Sequence, residues 1–275
     1  MDTNNIKISA KQKLRYRRLT NEKVEEIQKL VKDGLSLRAT ARKTKVNYST
    51  VHLHAKQFAK RQSVLDFSVF SEKELGYVVG FYVGDGSRIE EKRSGHFGAK
   101  FALDAKNDLD IASLLQTLFE KSGKRVTLYS VGSWLTMKVY SKSLLKILQG
   151  YVEYVIDNEG KHKVLVNPSV WSRDFTLGFL GGIIDADGHV LKNKRRIGHF
   201  GAVIVTANPK LARQLVKLFI GLGLETTVGK AQPGITSFGK SPNYFIRLGK
   251  AEFSKVCKDL VCIKHGRCGC DTKPF

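Results

Sequence analysis

The chain has 275 residues, 42% of them hydrophobic, and carries 47 Lys or Arg against 25 Asp or Glu, a formal net charge of +22. That length gives two or three compact units with real cores, and the charge excess points to a polyanion, nucleic acid above all, as partner. The polar start from Met1 to Lys13 lacks the apolar stretch of a secretory signal, and no apolar run approaches the roughly 20 residues of a bilayer span. The expected location is the compartment of synthesis, cytoplasmic or, for an organelle-borne gene, organellar, with no membrane partner.

Residues 1–63 hold 16 Lys or Arg against 5 Asp or Glu, half of the total excess, and read as a separate unit. Thr20 or Asn21 caps a predicted helix with Val24, Ile27, Leu30 and Val31 at helical spacing, ending near Asp33-Gly34. Ser36 caps a short second helix with Leu37, Thr40 and Ala41 inward. A turn is expected over Lys45 to Asn47, and Tyr48 opens a third helix to about Lys60. The run from Leu35 to Val51 resembles the helix-turn-helix of resolvase and invertase-type DNA-binding domains, although that family usually has glycine where this chain has Lys45. The resemblance implies a third helix in the major groove, with Tyr48, Ser49, Thr50, His52 and Lys56 as DNA contacts. The alternative is a small helical bundle with a solvated basic face. Residues 63–71 read as a linker.

Five positions then recur at one spacing. Gly76, Gly80, Gly84, Asp85 and Gly86 return as Gly178, Gly182, Ala186, Asp187 and Gly188, an offset of 187 − 85 = 102. Each set lies in an apolar run, Leu75 to Val83 and Phe175 to Ile184, with its small residues on one helical face. Glycine inside a helix costs about 1 kcal/mol relative to alanine, so two such helices need a compensating close contact. Facing stripes would bring the terminal aspartates together at two negative helix-dipole ends, an arrangement that calls for a divalent cation. Packing alone, or a membrane pair of small-xxx-small type, is the competing reading, but the runs are too short to span a bilayer and both end in Asp-Gly.

The repeat continues. Both copies share Gly-His-Phe-Gly-Ala, at residues 95–99 and 198–202. Strand patterns follow at Lys100 to Leu103 and Val203 to Thr206, amphipathic helices at Leu109 to Phe119 and Leu211 to Phe219, hairpins over Val126 to Tyr140 and Thr226 to Leu248, and a closing helix. Val78 to Gly86 and Leu180 to Gly188 resemble the two motifs of a single-chain LAGLIDADG homing endonuclease, over about residues 70–260. The first motif departs in having Val83 where the family often has its earlier aspartate. The resemblance implies an α+β fold of two pseudo-symmetric αββαββα halves forming a DNA-binding saddle of antiparallel sheets, beside the all-α helix-turn-helix domain. The domains are then 1–63, 64–170 and 171–275, in a monomer with internal pseudo-twofold symmetry.

Paired carboxylates with a divalent ion can hydrolyse phosphodiesters. Asp85 and Asp187 are the expected metal ligands and catalytic residues. By resemblance the carbonyls of Gly84 and Ala186 add to the coordination, and the hard oxygens favour Mg²⁺, with Mn²⁺ able to substitute. The resemblance also implies a lysine near the scissile phosphate, for which Lys106 is the candidate, with Asn208 at the matching place. Sequence readout in double-stranded DNA is assigned to Arg88, Lys92, Arg93 and Lys100 in the first half and Lys192, Lys194, Arg195 and Arg196 in the second. His96 and His199 are read as parts of a shared turn. Cys257, Cys262, Cys268 and Cys270, with His265 among them, leave zinc, a disulfide or a plain tail open, and Cys257 is expected in the closing helix. The expected activity is a staggered double-strand break in a long asymmetric site by an intron-encoded enzyme; a cleavage-inactive transcriptional regulator and an intron RNA maturase are the alternatives. An intein is not expected, given Met1 at the start and Pro-Phe at the end.

Overall fold

Short polar side chains close the first turn of most helices in this chain, as unsatisfied N–H groups there require. The computed structural model describes residues 19–58, 65–91, 95–156, 162–166, 171–190, 200–230 and 243–266, in two compact units, Met1–Ser63 and Val64–Phe275. In the first, α1 (Asn21–Lys32) is capped by Thr20, α2 (Leu37–Thr44) by Ser36 and α3 (Tyr48–Ala55) by Asn47. Ile27, Val31, Val51 and Ala55 form its core. The α2–α3 turn rests on Lys45 at φ 54°, a left-handed conformation that glycine adopts without strain. Helix α3 ends at Ala55, short of the expected Lys60, and residues 59–64 lie outside the described chain.

The second unit begins at Val64, so most of the segment read as a linker belongs to it. Leu65 is buried and the Asp66 N–H donates to the Ser122 carbonyl at 3.2 Å, which ties this part of the expected linker to the core. Helix α4 (Glu72–Asp85) opens with a capping box: the Glu74 N–H donates to Ser71 Oγ at 3.2 Å and the Ser71 N–H to Glu74 Oε2 at 2.7 Å. Strands β1 (Gly86–Glu91) and β2 (His96–Asp104) follow, then α5 (Leu109–Lys121), β3 (Thr127–Val131), β4 (Trp134–Tyr140) and α6 (Lys142–Tyr151). The second half repeats this as α7 (Arg173–Asp187), β7 (Gly188–Val190), β8 (Phe200–Thr206), α8 (Pro209–Gly221), β9 (Thr226–Lys230), β10 (Tyr244–Gly249) and α9 (Lys250–Val256), with a short α10 (Ile263–Gly266) beyond it. The sheets have the same antiparallel order, β1-β2-β4-β3 and β7-β8-β10-β9.

One element had no sequence signal. After α6 the chain forms an antiparallel ribbon of β5 (Val152–Ile156) and β6 (His162–Val166). Its last residue is held by the second half: the Gln214 amide on α8 donates to the Val166 carbonyl at 2.6 Å and accepts from the Val166 N–H at 3.2 Å. A single amide side chain thus acts as one further strand residue.

Register settles which strand residues face the core. In the first sheet Ala99, Phe101 and Leu103 are buried, as are Met137 and Val139 on β4. The opposite face therefore carries the intervening residues, and one row of it runs Ser87, Lys100, Lys138, Thr127. In the second sheet the corresponding row is His189, Val203, Arg247, Thr227.

Candidate metal-carboxylate site and nucleic-acid face

Helices α4 and α7 run parallel. At their starts Ser172 Oγ donates to the Glu72 carboxylate and Lys73 lies 3.8 Å from Asp174; at their ends Gly84 meets Ala186 and Asp187. Between these points the glycines allow backbone-to-backbone contact. A Cβ at Gly76 would collide with the Phe175 carbonyl, one at Gly178 with the Lys73 carbonyl, one at Gly80 with the Phe179 carbonyl and one at Gly182 with the Tyr77 carbonyl. Each contact and its mate differ by the motif offset, since 178 − 76 and 175 − 73 are both 102. The interface is pseudo-twofold residue by residue, and the Gly84–Ala186 contact lies on the axis.

Parallel packing puts two carboxylates at the same end, where both helix dipoles are negative. A Cβ on Gly84 would be 3.2 Å from Asp187 Oδ2. Burial, with the Asp187 charge beside it, pushes Asp85 up to about 7 from an ordinary 3.8. Asp187 keeps more solvent contact, and desolvation by the surrounding protein pushes it up to about 6. Asp85 has the larger shift because the Asp187 charge adds to its desolvation. Two acids whose proton affinity is raised by burial, next to main-chain carbonyls at helix ends, form an all-oxygen donor set that fits a hard divalent ion.

A cation does reach this place, from a residue in no recognisable motif. The segment after α9 returns to α7, where Asp185, only 1% exposed, accepts from the Ile263 N–H at 2.7 Å, the Lys264 N–H at 2.8 Å, the Tyr77 hydroxyl at 2.9 Å and Cys262 Sγ at 3.3 Å. Burial still pushes the Asp185 carboxyl up, against those bonds. Lys264 Nζ then donates to the Ala186 and Gly188 carbonyls, both at 3.1 Å, and its charge acts on Asp85 and Asp187 in the direction opposite to burial. A buried aspartate in the second motif, with no partner nearby in sequence, was the available clue.

The other expected site residues fall in several places. Lys106 is exposed in the turn after β2, where its N–H donates to Asp104 Oδ1 at 2.9 Å, and its charge acts on Asp104. Asn208 is not its counterpart. It caps α8 as Asp108 precedes α5, because the second pair of helices is related by an offset of 208 − 108 = 100. Arg88 pairs in register with Ala99, a core residue, so it lies on the helix side of the sheet, 5.1 Å over the Tyr154 ring and 3.3 Å from Glu90. Ser87 and Lys100 share the open face. Lys138 and Arg247, which the strand reading omitted, occupy equivalent places there. Lys138 sits 5.2 Å over the Tyr129 ring, and Arg247 5.4 Å over Phe245. Lys92, Arg93, Lys192, Lys194, Arg195 and Arg196 lie outside the described residues, as do His199, Cys268 and Cys270. His96 belongs to β2 rather than to a turn, with its ring 5.2 Å from Tyr140. Cys257 is the C-cap of α9, and Cys262 is buried against Asp185. In the first unit Tyr48, Ser49, His52 and Lys56 are exposed on or beside α3, while Thr50 is half-buried.

Residues 174–255 match the LAGLIDADG-like domain family. Among solved structures the chain is similar to I-DmoI in complex with DNA and calcium, at 14% identity over 69% of this chain and 90% of that one, TM-score 0.49. It is also similar to I-WcaI bound to its DNA recognition sequence, at 15% identity, 74% and 85% coverage and TM-score 0.46. A third is the N-terminal LAGLIDADG domain of DUF199/WhiA, at 12% identity, 72% and 88% coverage and TM-score 0.46. No curated protein matches the chain in sequence. Among the described residues no helix is long and apolar enough to cross a membrane.

Proposed function

We propose that the protein is a divalent-metal-dependent, site-specific DNA endonuclease that makes a staggered double-strand break in a long asymmetric site. The observation that carries this reading is the parallel pairing of α4 and α7, which sets Asp85 and Asp187 side by side at the points where the two sheets begin. Asp85, Asp187 and the Gly84 carbonyl would hold the metal. When bound, Mg²⁺ activates water and stabilises the departing 3′ oxygen. Each aspartate serves one strand, which accounts for the duplication: one acid per scissile phosphate, related by the same pseudo-twofold axis that relates the helices.

The open sheet faces support the choice of substrate. Lys100 and Lys138 in one half and His189 and Arg247 in the other supply donors for base edges and phosphates, within a chain of net charge +22. Lys106, exposed in the turn after β2, would meet a phosphate. The first unit extends the footprint as a helix-turn-helix, with α3 and its exposed Tyr48, Ser49, His52 and Lys56 toward the major groove. An intron-encoded origin, a monomeric state and a cytoplasmic or organellar location belong to the same reading.

The test is incubation with Mg²⁺ and a plasmid library of candidate intron-insertion sites, followed by sequencing of broken ends. Specific staggered breaks are expected, lost or reduced to nicks in Asp85→Asn and Asp187→Asn, with binding retained. Selective binding without breaks in Mg²⁺ and Mn²⁺ would refute the nuclease and favour a regulator. Removal of residues 1–63 should weaken binding and flatten its salt dependence; unchanged affinity would refute the role of the first unit.

A further inference from the structure

We propose that Lys264 is a positioning residue that lends the Asp85–Asp187 pair a fixed positive charge and withholds the Ala186 carbonyl from metal, so that the two halves hold divalent ions unequally. The proposal rests on the metal-dependent reading above.

Several departures from twofold symmetry converge on this one place. Tyr77 on α4 has Phe179 as its mate on α7, and Asp185 has Val83, since 179 − 77 and 185 − 83 are both 102. A hydroxyl and a carboxylate thus face each other on one side of the axis, 2.9 Å apart, and two apolar side chains stand at the mated positions. Asp185 is nine-tenths buried or more and uses its remaining acceptor sites on the returning segment, through Cys262, Ile263 and Lys264. Gly181 makes room for that segment, because a Cβ there would collide with the Val261 carbonyl. A buried carboxylate with four donors is costly to leave unpaired, so the segment is fixed to the end of α7.

Its consequence is where the ammonium lands. Lys264 Nζ donates to the Ala186 and Gly188 carbonyls, 3.1 Å from each, beside both catalytic acids. The first half has no such group: after α6 its chain enters the β5–β6 ribbon, and among the described residues no side chain donates to the Gly84 carbonyl. The Gly84 side of the pair is therefore open to a metal ion, whereas the Ala186 side already has a monovalent cation on the carbonyl a metal would use. Lys264 lowers the repulsion between the acids without a metal, and it opposes a second divalent ion.

The experiment uses the full chain and Mn²⁺ alone, with free Mn²⁺ followed by its paramagnetic resonance signal and folding checked by thermal melting. Asp85→Asn and Asp187→Asn should weaken binding. Removing the ammonium in Lys264→Met, or in Lys264→Gln should the first variant melt early, should tighten Mn²⁺ binding on the order of tenfold, while Lys264→Arg stays near wild type. Wild-type binding left unchanged or weakened in both neutral variants would overturn the proposal and leave the metal reading standing. Absence of Mn²⁺ binding in wild type and in the neutral variants alike would overturn both.

Discussion

Substituting alanine at Gly80 sets two effects of known size against each other. In an isolated helix the change favours folding by about 1 kcal/mol. At Gly80 the new Cβ would stand 2.8 Å from the Phe179 carbonyl carbon and 3.0 Å from its Cα, on top of the collision with the carbonyl oxygen. Those atoms are backbone in the middle of α7 and cannot swing aside. Restoring ordinary contact requires the helix axes to part by about 1 Å, which thins the packing of a core that includes Tyr77, Phe81 and Phe179. Overpacking of this kind costs roughly 1–3 kcal/mol even where side chains can adjust, so Gly80→Ala should destabilise by about 2 kcal/mol net or more. Gly150, on the exposed side of α6, is the matched control: a Cβ there meets nothing within 4 Å, and Gly150→Ala should stabilise by about 0.5–1 kcal/mol. Equilibrium urea unfolding of both variants measures the difference. A Gly80→Ala protein as stable as the Gly150→Ala one would refute close backbone contact between α4 and α7, and with it the geometry that joins the aspartates.

Three further outcomes are expected. Asp185→Val orphans the Tyr77 hydroxyl and two backbone N–H groups and should destabilise by about 3–5 kcal/mol in urea unfolding, with Tyr77→Phe costing about 1–2 kcal/mol and losing most of that cost in the Asp185→Val background. Asp85 at about 7 and Asp187 at about 6 keep protons that an unfolded chain releases near pH 4, so without metal their contribution to stability falls as pH rises from about 4 to 7. The wild-type melting temperature minus that of Asp85→Asn should therefore drop across this window, and Mg²⁺ should raise wild-type melting at pH 7.5 far more than at pH 5; equal Mg²⁺ effects at both would refute the pair as a titrating metal site. Lys45→Gly relieves a left-handed lysine and should stabilise the first unit by about 0.5–1 kcal/mol, read by the loss of far-ultraviolet helix signal on heating residues 1–63 in the intact chain.

The parts of this molecule that the sequence made legible are those set by neighbours. Thr20, Ser36 and the glycine stripes act within one or two turns, and the paired aspartates followed from a repeat whose offset is constant through the motif. The offset then drifts, to 103 at the shared Gly-His-Phe-Gly-Ala and to 100 at the α5 and α8 helices, because the connecting segments differ in length. That drift sets Asn208 opposite Asp108 rather than Lys106, and in β1 it is the pairing with Ala99, invisible to charge and alternation alone, that puts Arg88 on the helix side. Lys264 was out of reach for another reason: what puts it beside Asp187 is the return of a segment some 77 residues further along, held by a buried carboxylate, and no local pattern encodes such a return.

The clasp between Gln214 and Val166 bears on how the two halves could have been joined. It ties the end of the first half to a helix of the second, and the α4–α7 interface, reciprocal at each glycine, already fixes their orientation. A covalent link between the halves then adds a high effective concentration to surfaces that already fix their orientation. Supplied as two chains, 1–166 and 171–275, the same surfaces would meet in the same register at protein concentrations that replace the tether, and a gene fusion of once-separate subunits would have altered the stoichiometry of the molecule while leaving its central interface as it was.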